Sequence, residues 1–283
     1  MDGLYEADKK KSRTEATLNG FSGFTFLHKD LRDFDIKVVL EDVDCVINEA
    51  AMPGLGLSWS DFSLYNECNL VAVSRLLEAL KEFPAVHLVH ASTSSVYGQF
   101  ATGDESTPLK PCSPYGVTKL AAENLIGAYR ENFGISATIL RYFSIFGPNQ
   151  RPDMAYSKFI RQMISGEQIE IYGDGSQIRS NTFIDDIVSA TRLAAQPKHD
   201  GEILNICGDQ SISLSAAIEE LADEIGVAPK IVLRAKALGD QADTSGVNSR
   251  AKQVLEWSPL TEIRSGLRLQ ARAALAEENQ TPH

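Results

Sequence analysis

Tyr115 and Lys119 stand four residues apart in Ser113-Pro-Tyr115-Gly-Val-Thr-Lys119. On a helix that spacing puts both side chains on one face, so an ammonium can sit close to a phenol. A phenol in that position can take the proton of an alcohol while hydride leaves the same carbon. Its free pKa of about 10 must then fall to near 7, which requires on the order of 4 kcal/mol. A lysine cation about 4 Å away, at an effective dielectric near 20, supplies that much. Spacing alone does not single out Tyr115. Of the 8 tyrosines, Tyr5 also has a lysine, Lys9, at its fourth following position. Context separates them. An uncharged run, Val86 to Ala91, leads into four hydroxyls, Ser92-Thr93-Ser94-Ser95, and a helix start follows at Ser113-Pro114. The carboxyl end of a strand is where α/β sheets present chemistry; without Tyr115 downstream, the hydroxyl run would read as turn and cap residues.

These residues need elements to hold them, and the chain supplies a regular alternation. Apolar β-type runs occur at Phe24–Leu27, Asp44–Asn48, Val86–Ala91 and Ser136–Arg141, with helical stretches at Phe62–Phe83 and Ser113–Phe133 between them. Such alternation predicts a parallel sheet covered on both faces. Gly147-Pro-Asn-Gln-Arg-Pro152 breaks the pattern and marks a domain transition near residue 150. After it come a helix over Ala155–Ser165, a strand at Ile169–Tyr172, the turn Gly173-Asp-Gly175 and a helix after Asp185-Asp186. Ile203–Cys207, helices near Leu214–Ile225 and Glu262–Glu277, and a loop around Gly239–Val247 complete the chain. The expected fold is a doubly wound parallel sheet in residues 1–150 and a smaller α/β part in 151–283, with some chain crossing back.

With 283 residues the chain is long enough for a full core. A net charge of -11 argues against a nucleic-acid surface, so any phosphate site must be a local cluster of arginines. No apolar run is long enough for a membrane span. Residues 1–20 are polar, with Lys9-Lys-Lys11 and no apolar stretch of the signal-peptide kind. Cys45, Cys68, Cys112 and Cys207 lack metal-ligand spacing and read as buried free thiols. Asp185-Asp186 reads as an acid pair at a helix N-terminus, and no metal site is expected. A cytoplasmic enzyme is the default.

Several longer segments carry a family resemblance. They are Asn48-Glu-Ala-Ala51, the helix beginning Asn69-Leu-Val-Ala-Val, the run Leu140-Arg-Tyr-Phe-Ser-Ile-Phe-Gly-Pro-Asn-Gln-Arg151, and Tyr172-Gly-Asp-Gly-Ser-Gln-Ile-Arg179 through Asp186. Together with the hydroxyl run and the Tyr–Lys pair, they resemble the extended short-chain dehydrogenase/reductases of the NAD-dependent epimerase/dehydratase family. The likeness runs from about Gly20 to Pro259, and it is strongest to UDP-glucuronate 4-epimerases. Ser94 and Ser95 stand where related dehydratases carry Asp-Glu and decarboxylases Ser-Glu, so the acid of those chemistries is absent. Two departures matter. Asn48 replaces the family's usual histidine, and no Gly-rich strand-turn-helix is found. Gly54-x-Gly56 has Trp59, and Gly173-x-Gly175 has Ile178, where a third glycine belongs. The chain reads as if it opens at the end of a second strand, with Asp2 where a ribose-binding acid usually sits. A silent nucleotide-sugar binder is therefore the rival reading to an enzyme.

The resemblance implies NAD as cofactor and a UDP-sugar as substrate. Thr93, Tyr115 and Lys119 would be catalytic. Asp2, Asp30, Leu31, Ala50, Ala51, Asn69, Ser92, Tyr115, Lys119 and Tyr142 would line the cofactor. Thr93, Ser94, Ser144, Arg151, Tyr172, Arg179 and Asp240 would line the substrate, with Arg151 directed at a sugar carboxylate and Arg179 at the diphosphate. The implied reaction takes hydride from sugar C4 and returns it to the other face of a 4-keto sugar. Decarboxylation and 4-keto reduction are its neighbours. A homodimer through the helices flanking Asn69 and Tyr115 is also implied.

Overall fold

The computed structural model describes residues 14–15, 17–18, 20–235 and 243–278. At its centre β1 (Cys45–Asn48), β2 (His87–Thr93), β3 (Ala137–Tyr142) and the strand Ile203–Ile206 lie side by side in that order, all parallel. The side chains of β2 and β3 are buried on both faces almost throughout, so these strands read as nearly continuous runs rather than alternating ones, whereas β1 at the sheet edge leaves Ile47 exposed. On one face the helices Ala72–Leu80 and Pro114–Phe133 bring Leu76, Leu77, Ala122 and Ile126 onto Leu88 and Ile139. On the other, the helices Ile184–Ala194 and Ser249–Leu255 bring Ala190, Leu255 and the following Trp257 against Val89, Leu140 and Leu204. This is an α/β, Rossmann-like fold.

A separate apolar cluster lies in the carboxyl-terminal half. Phe146, Phe159, Ile169, Leu221 and Leu267 are buried together among the helices Ala155–Ser165, Leu214–Ile225 and Ile263–Glu278. The strand Gln168–Tyr172 pairs in parallel with Lys230–Arg234, and Ile178–Arg179 lies between Asp243–Thr244 and Ile212–Ser213. Ile203–Ile206 completes the central sheet beside β3.

Two sequence expectations change, and a third holds with an addition. Phe24–Leu27 forms no strand; the segment is largely exposed and has no neighbouring strand to pair with. The helix expected over Phe62–Phe83 carries a π turn, Glu67–Val71, between Phe62–Asn66 and Ala72–Leu80, and a short helix, Leu55–Ser60, precedes it. Asp186, besides lying in the first turn of its helix, is buried and accepts the backbone N–H groups of Leu260 and Thr261 at 2.8 and 3.1 Å. It therefore ties the segment after Trp257 to that helix.

Candidate active site

Local sequence sets the site's frame. Ser113 caps the helix Pro114–Phe133 by accepting the Gly116 N–H at 3.1 Å, and Pro114 occupies the first turn, where no N–H is needed. Thr93 ends β2 and accepts the Ser95 N–H at 3.1 Å, opening the 3-10 turn Ser94–Tyr97. Gly116 is packed hard against that turn. A Cβ added there would lie 2.7 Å from the Ser95 carbonyl oxygen, so only glycine lets helix and turn approach this closely. The approach carries Tyr115 over the end of β2.

Tyr115 is half-buried, with the Thr93 hydroxyl near enough to act on its phenol. Burial pushes its phenol pKa up, while the Thr93 hydrogen bond and the Arg151 charge act against that rise. Arg151 is also forked onto Asp153, at 2.6 Å from Nε and 2.8 Å from Nη2. The Tyr65 ring meets Tyr115 edge-on at 6.1 Å, and its hydroxyl is held by the Pro53 and Gly54 carbonyls. Thr93, Tyr115 and Arg151, chosen from sequence, thus come together; Tyr65 was missed. No sequence signal marks it, because its role is to pack behind another ring.

Lys119 is buried on the same helix as Tyr115. Its Nζ donates to the Ala91 carbonyl at 2.5 Å and lies 3.3 Å from His90 Nε2. The charge of Arg151 acts on the Tyr115 phenol, while the Lys119 head is held at the Ala91 carbonyl. Burial lowers the Lys119 pKa to about 8, with Glu123 and Glu49 pulling the other way. Glu49 accepts the Tyr142 hydroxyl at 2.8 Å, and that hydroxyl also meets Thr191 at 2.7 Å. Sequence reading passed over His90, Glu49 and Glu123. His90 lay inside an uncharged strand run and gave no sign of what it faces.

The other expected residues divide by position. Asn69, in the π turn, accepts the Met52 N–H at 2.6 Å and donates to the Met52 carbonyl and to Thr118 Oγ1 at 3.0 and 3.1 Å. It joins the segment after β1 to the helix that carries Tyr115, and a π turn at such a point often accompanies function. The Ser92 hydroxyl donates to Glu123, which is locked to Arg141 in a buried ion pair. Ser94 is buried in the turn after Thr93. Ala50 and Ala51 follow the end of β1. Asp30 is held by Arg32 at 2.6 Å, beside Leu31, and that partner keeps its carboxyl down at about 2. Ser144 lies between β3 and the short strand Ile145–Phe146. Tyr172 and Arg179 lie on the short strands of the carboxyl-terminal half, where the charge of Arg179 acts on Tyr156. Asp2 and Asp240 fall outside the described residues.

The donor set fits the nicotinamide end of a dinucleotide. Thr93, Tyr115, Lys119 and Tyr142 converge at the carboxyl ends of β2 and β3, beside the small side chains of Ala50 and Ala51. For the pyrophosphate end the described residues contain no Gly-rich turn of the sort that usually receives it.

Residues 4–207 match the model of the NAD dependent epimerase/dehydratase family. An uncharacterized UDP-glucose epimerase of Bacillus subtilis, YtcB, is 40% identical over 86% of this chain and 78% of its own length. A UDP-glucuronate 4-epimerase of Thermodesulfobacterium geofontis is 36% identical over 87% of this chain and 77% of its own. Among solved structures, the UDP-glucuronic acid 4-epimerase of Bacillus cereus in complex with UDP-glucuronic acid and NAD superposes with a TM-score of 0.92. It is 35% identical, with 95% of this chain and 87% of that one covered. The chain belongs to the NAD-dependent epimerase/dehydratase family. Its class is that of an NAD-dependent nucleotide-sugar epimerase.

Proposed function

We propose that this chain interconverts the C4 epimers of a UDP-sugar and that the sugar is glucuronate. One observation carries the reading: Tyr115 stands beside Thr93 and under the charge of Arg151, and both favour its ionised form. NAD, when bound, supplies the acceptor and the returning donor of the C4 hydride. Tyr115 takes the C4 hydroxyl proton and later gives it back. Thr93 holds the phenolic oxygen in place, and a hydrogen bond to a charged form is worth about 1.5–3 kcal/mol. Arg151 favours the phenolate, while burial opposes it. Lys119 and Tyr142 would hold the nicotinamide half, with Ala50 and Ala51 along the dinucleotide.

Arg151 suits the glucuronate carboxylate because a guanidinium presents a fork matched to a carboxylate. Asp153, its present partner, shows that it makes that forked contact. Ser144 lies on the stretch leading to Arg151, and Tyr172 and Arg179 would face the uridine diphosphate. The turn after β2 offers Ser94 and Ser95 rather than a carboxylate, which disfavours elimination and decarboxylation. The reading includes a division near residue 150, with the strand Ile203–Ile206 crossing back, and a cytoplasmic homodimer. Trp59, Phe62, Val117 and Phe133, exposed on the helices around Asn69 and Tyr115, support the dimer.

The test is incubation of the purified chain with UDP-glucuronate and NAD. UDP-galacturonate is the expected product. A UDP-pentose would replace the reading with decarboxylation. No turnover of UDP-glucuronate, UDP-glucose or UDP-galactose would leave a nucleotide-sugar binder.

A further inference from the structure

Asn48, His90 and Lys119 form a buried line from β1 through β2 to the helix Pro114–Phe133. Asn48 and His90 are register partners across the two strands. Asn48 Oδ1 accepts the Ala50 N–H at 3.2 Å, which fixes the amide: its NH2 end faces His90 Nδ1, also at 3.2 Å, and has to donate. Nδ1 is then the nitrogen with the lone pair, and the imidazole proton sits on Nε2, 3.3 Å from Lys119 Nζ. An N–H can donate to an amine, which has a lone pair, but not to an ammonium, which has none. For Lys119 to be an ammonium, the imidazole must carry its proton on Nδ1, and Asn48 must turn its oxygen toward it and give up the Ala50 N–H. His90 stays neutral throughout, since burial and the nearby lysine both push its pKa well down.

We propose that Asn48 and His90 are positioning residues that set the charge of Lys119, with the amide orientation, the imidazole tautomer and the lysine proton changing together. The imidazole holds one proton in both arrangements, so going from ammonium to amine releases a single proton. Glu123, one turn further along the helix, and Glu49, after β1, act on the amine from the other side and favour the ammonium. The Ala91 carbonyl accepts from Lys119 Nζ. The consequence for turnover rests on the function proposed above: only the ammonium arrangement brings an additional positive charge to the catalytic helix beside Tyr115.

The full chain without added nucleotide decides the matter by NMR, with 15N-labelled histidine and 13C-labelled lysine assigned through His90→Leu and Lys119→Met. His90 should carry its proton on Nε2 above the Lys119 titration and on Nδ1 below it, with one common midpoint. A tautomer that stays the same across that titration overturns the proposal. Asn48→Asp keeps an acceptor for Ala50 but can only accept from Nδ1. It should therefore raise the Lys119 midpoint by about one pH unit, a tenfold change in the amine-to-ammonium ratio. The shift should vanish when His90→Leu is added; if it persists, the carboxylate acts through space and His90 has no part. Both readouts are independent of turnover, so a chain inactive on every UDP-sugar would remove the proposed function and leave this proposal to the spectra.

Discussion

Tyr115, the proposed base, works against its own surroundings. Burial raises its pKa, and Thr93 and Arg151 act against that rise. Tyr115→Phe should lower kcat by about 10²- to 10⁴-fold, the range for a lost acid–base group, with the KM for the UDP-sugar little changed; steady-state kinetics checks both. Arg151→Ala removes a cation that favours the phenolate. The ionised base then forms only at higher pH, and the rising limb of the kcat–pH profile should move upward. The same variant should lose more activity on UDP-glucuronate than on UDP-glucose. Lys119 gives a stability prediction. Its folded pKa of about 8 lies below the ordinary 10.5, so the unfolded chain binds more protons between those values and wild-type stability rises with pH across that window. Below pH 8 the full penalty of about 3 kcal/mol is present, partly offset by the hydrogen bond to Ala91, about 1 kcal/mol. Lys119→Met should therefore be more stable than wild type at pH 7 by up to about 2 kcal/mol, with the gain shrinking toward pH 10 in urea melts.

At the scale of elements, the site depends on how closely one helix approaches one turn. Ser113, Pro114 and Gly116 could be read in the sequence as a helix start, because caps and first-turn proline are local physics. That Gly116 is required by the Ser95 carbonyl is a tertiary fact. Asn69 makes the same point. Its place in a family-like helix was legible, but its three hydrogen bonds to Met52 and Thr118 depend on a π turn that periodicity cannot reveal. Asn69→Leu leaves the half-buried N–H and carbonyl of Met52 unmatched and should destabilise the fold by about 1–3 kcal/mol. It should also impair turnover by loosening the helix under Tyr115, whereas Ser113→Ala should cost about 1 kcal/mol in stability. Urea titration of each variant beside its kcat separates the two effects. Phe24–Leu27 shows the converse. A run with strand composition formed no strand, since β structure needs a neighbour and local propensity does not provide one.

Across the whole molecule, a buried polar chain joins parts that are distant in sequence. Arg141 on β3 forks onto Glu123 and donates to the Tyr97 hydroxyl at 2.9 Å; Tyr97 donates to Asn205 Oδ1 at 2.7 Å, on the strand that crosses back. Replacing such a pair with apolar groups can be neutral, but removing one partner strands a buried charge. Arg141→Met should therefore destabilise the chain by about 3–5 kcal/mol, visible as a lower urea midpoint. The sequence by itself determined the alternation of helix and strand, the Tyr–Lys spacing at a helix start, the hydroxyl run at a strand end and the arginine after Gly147-Pro148. Each of these is a matter of near neighbours along the chain or of a motif that survives as a string. Tertiary structure alone decided the partners: Arg151 for Tyr115, the Ala91 carbonyl and His90 for Lys119, Glu123 for Arg141. A buried polar atom bonds to whatever strand register and helix packing bring within about 3 Å, and that distance is set by residues far away in the chain.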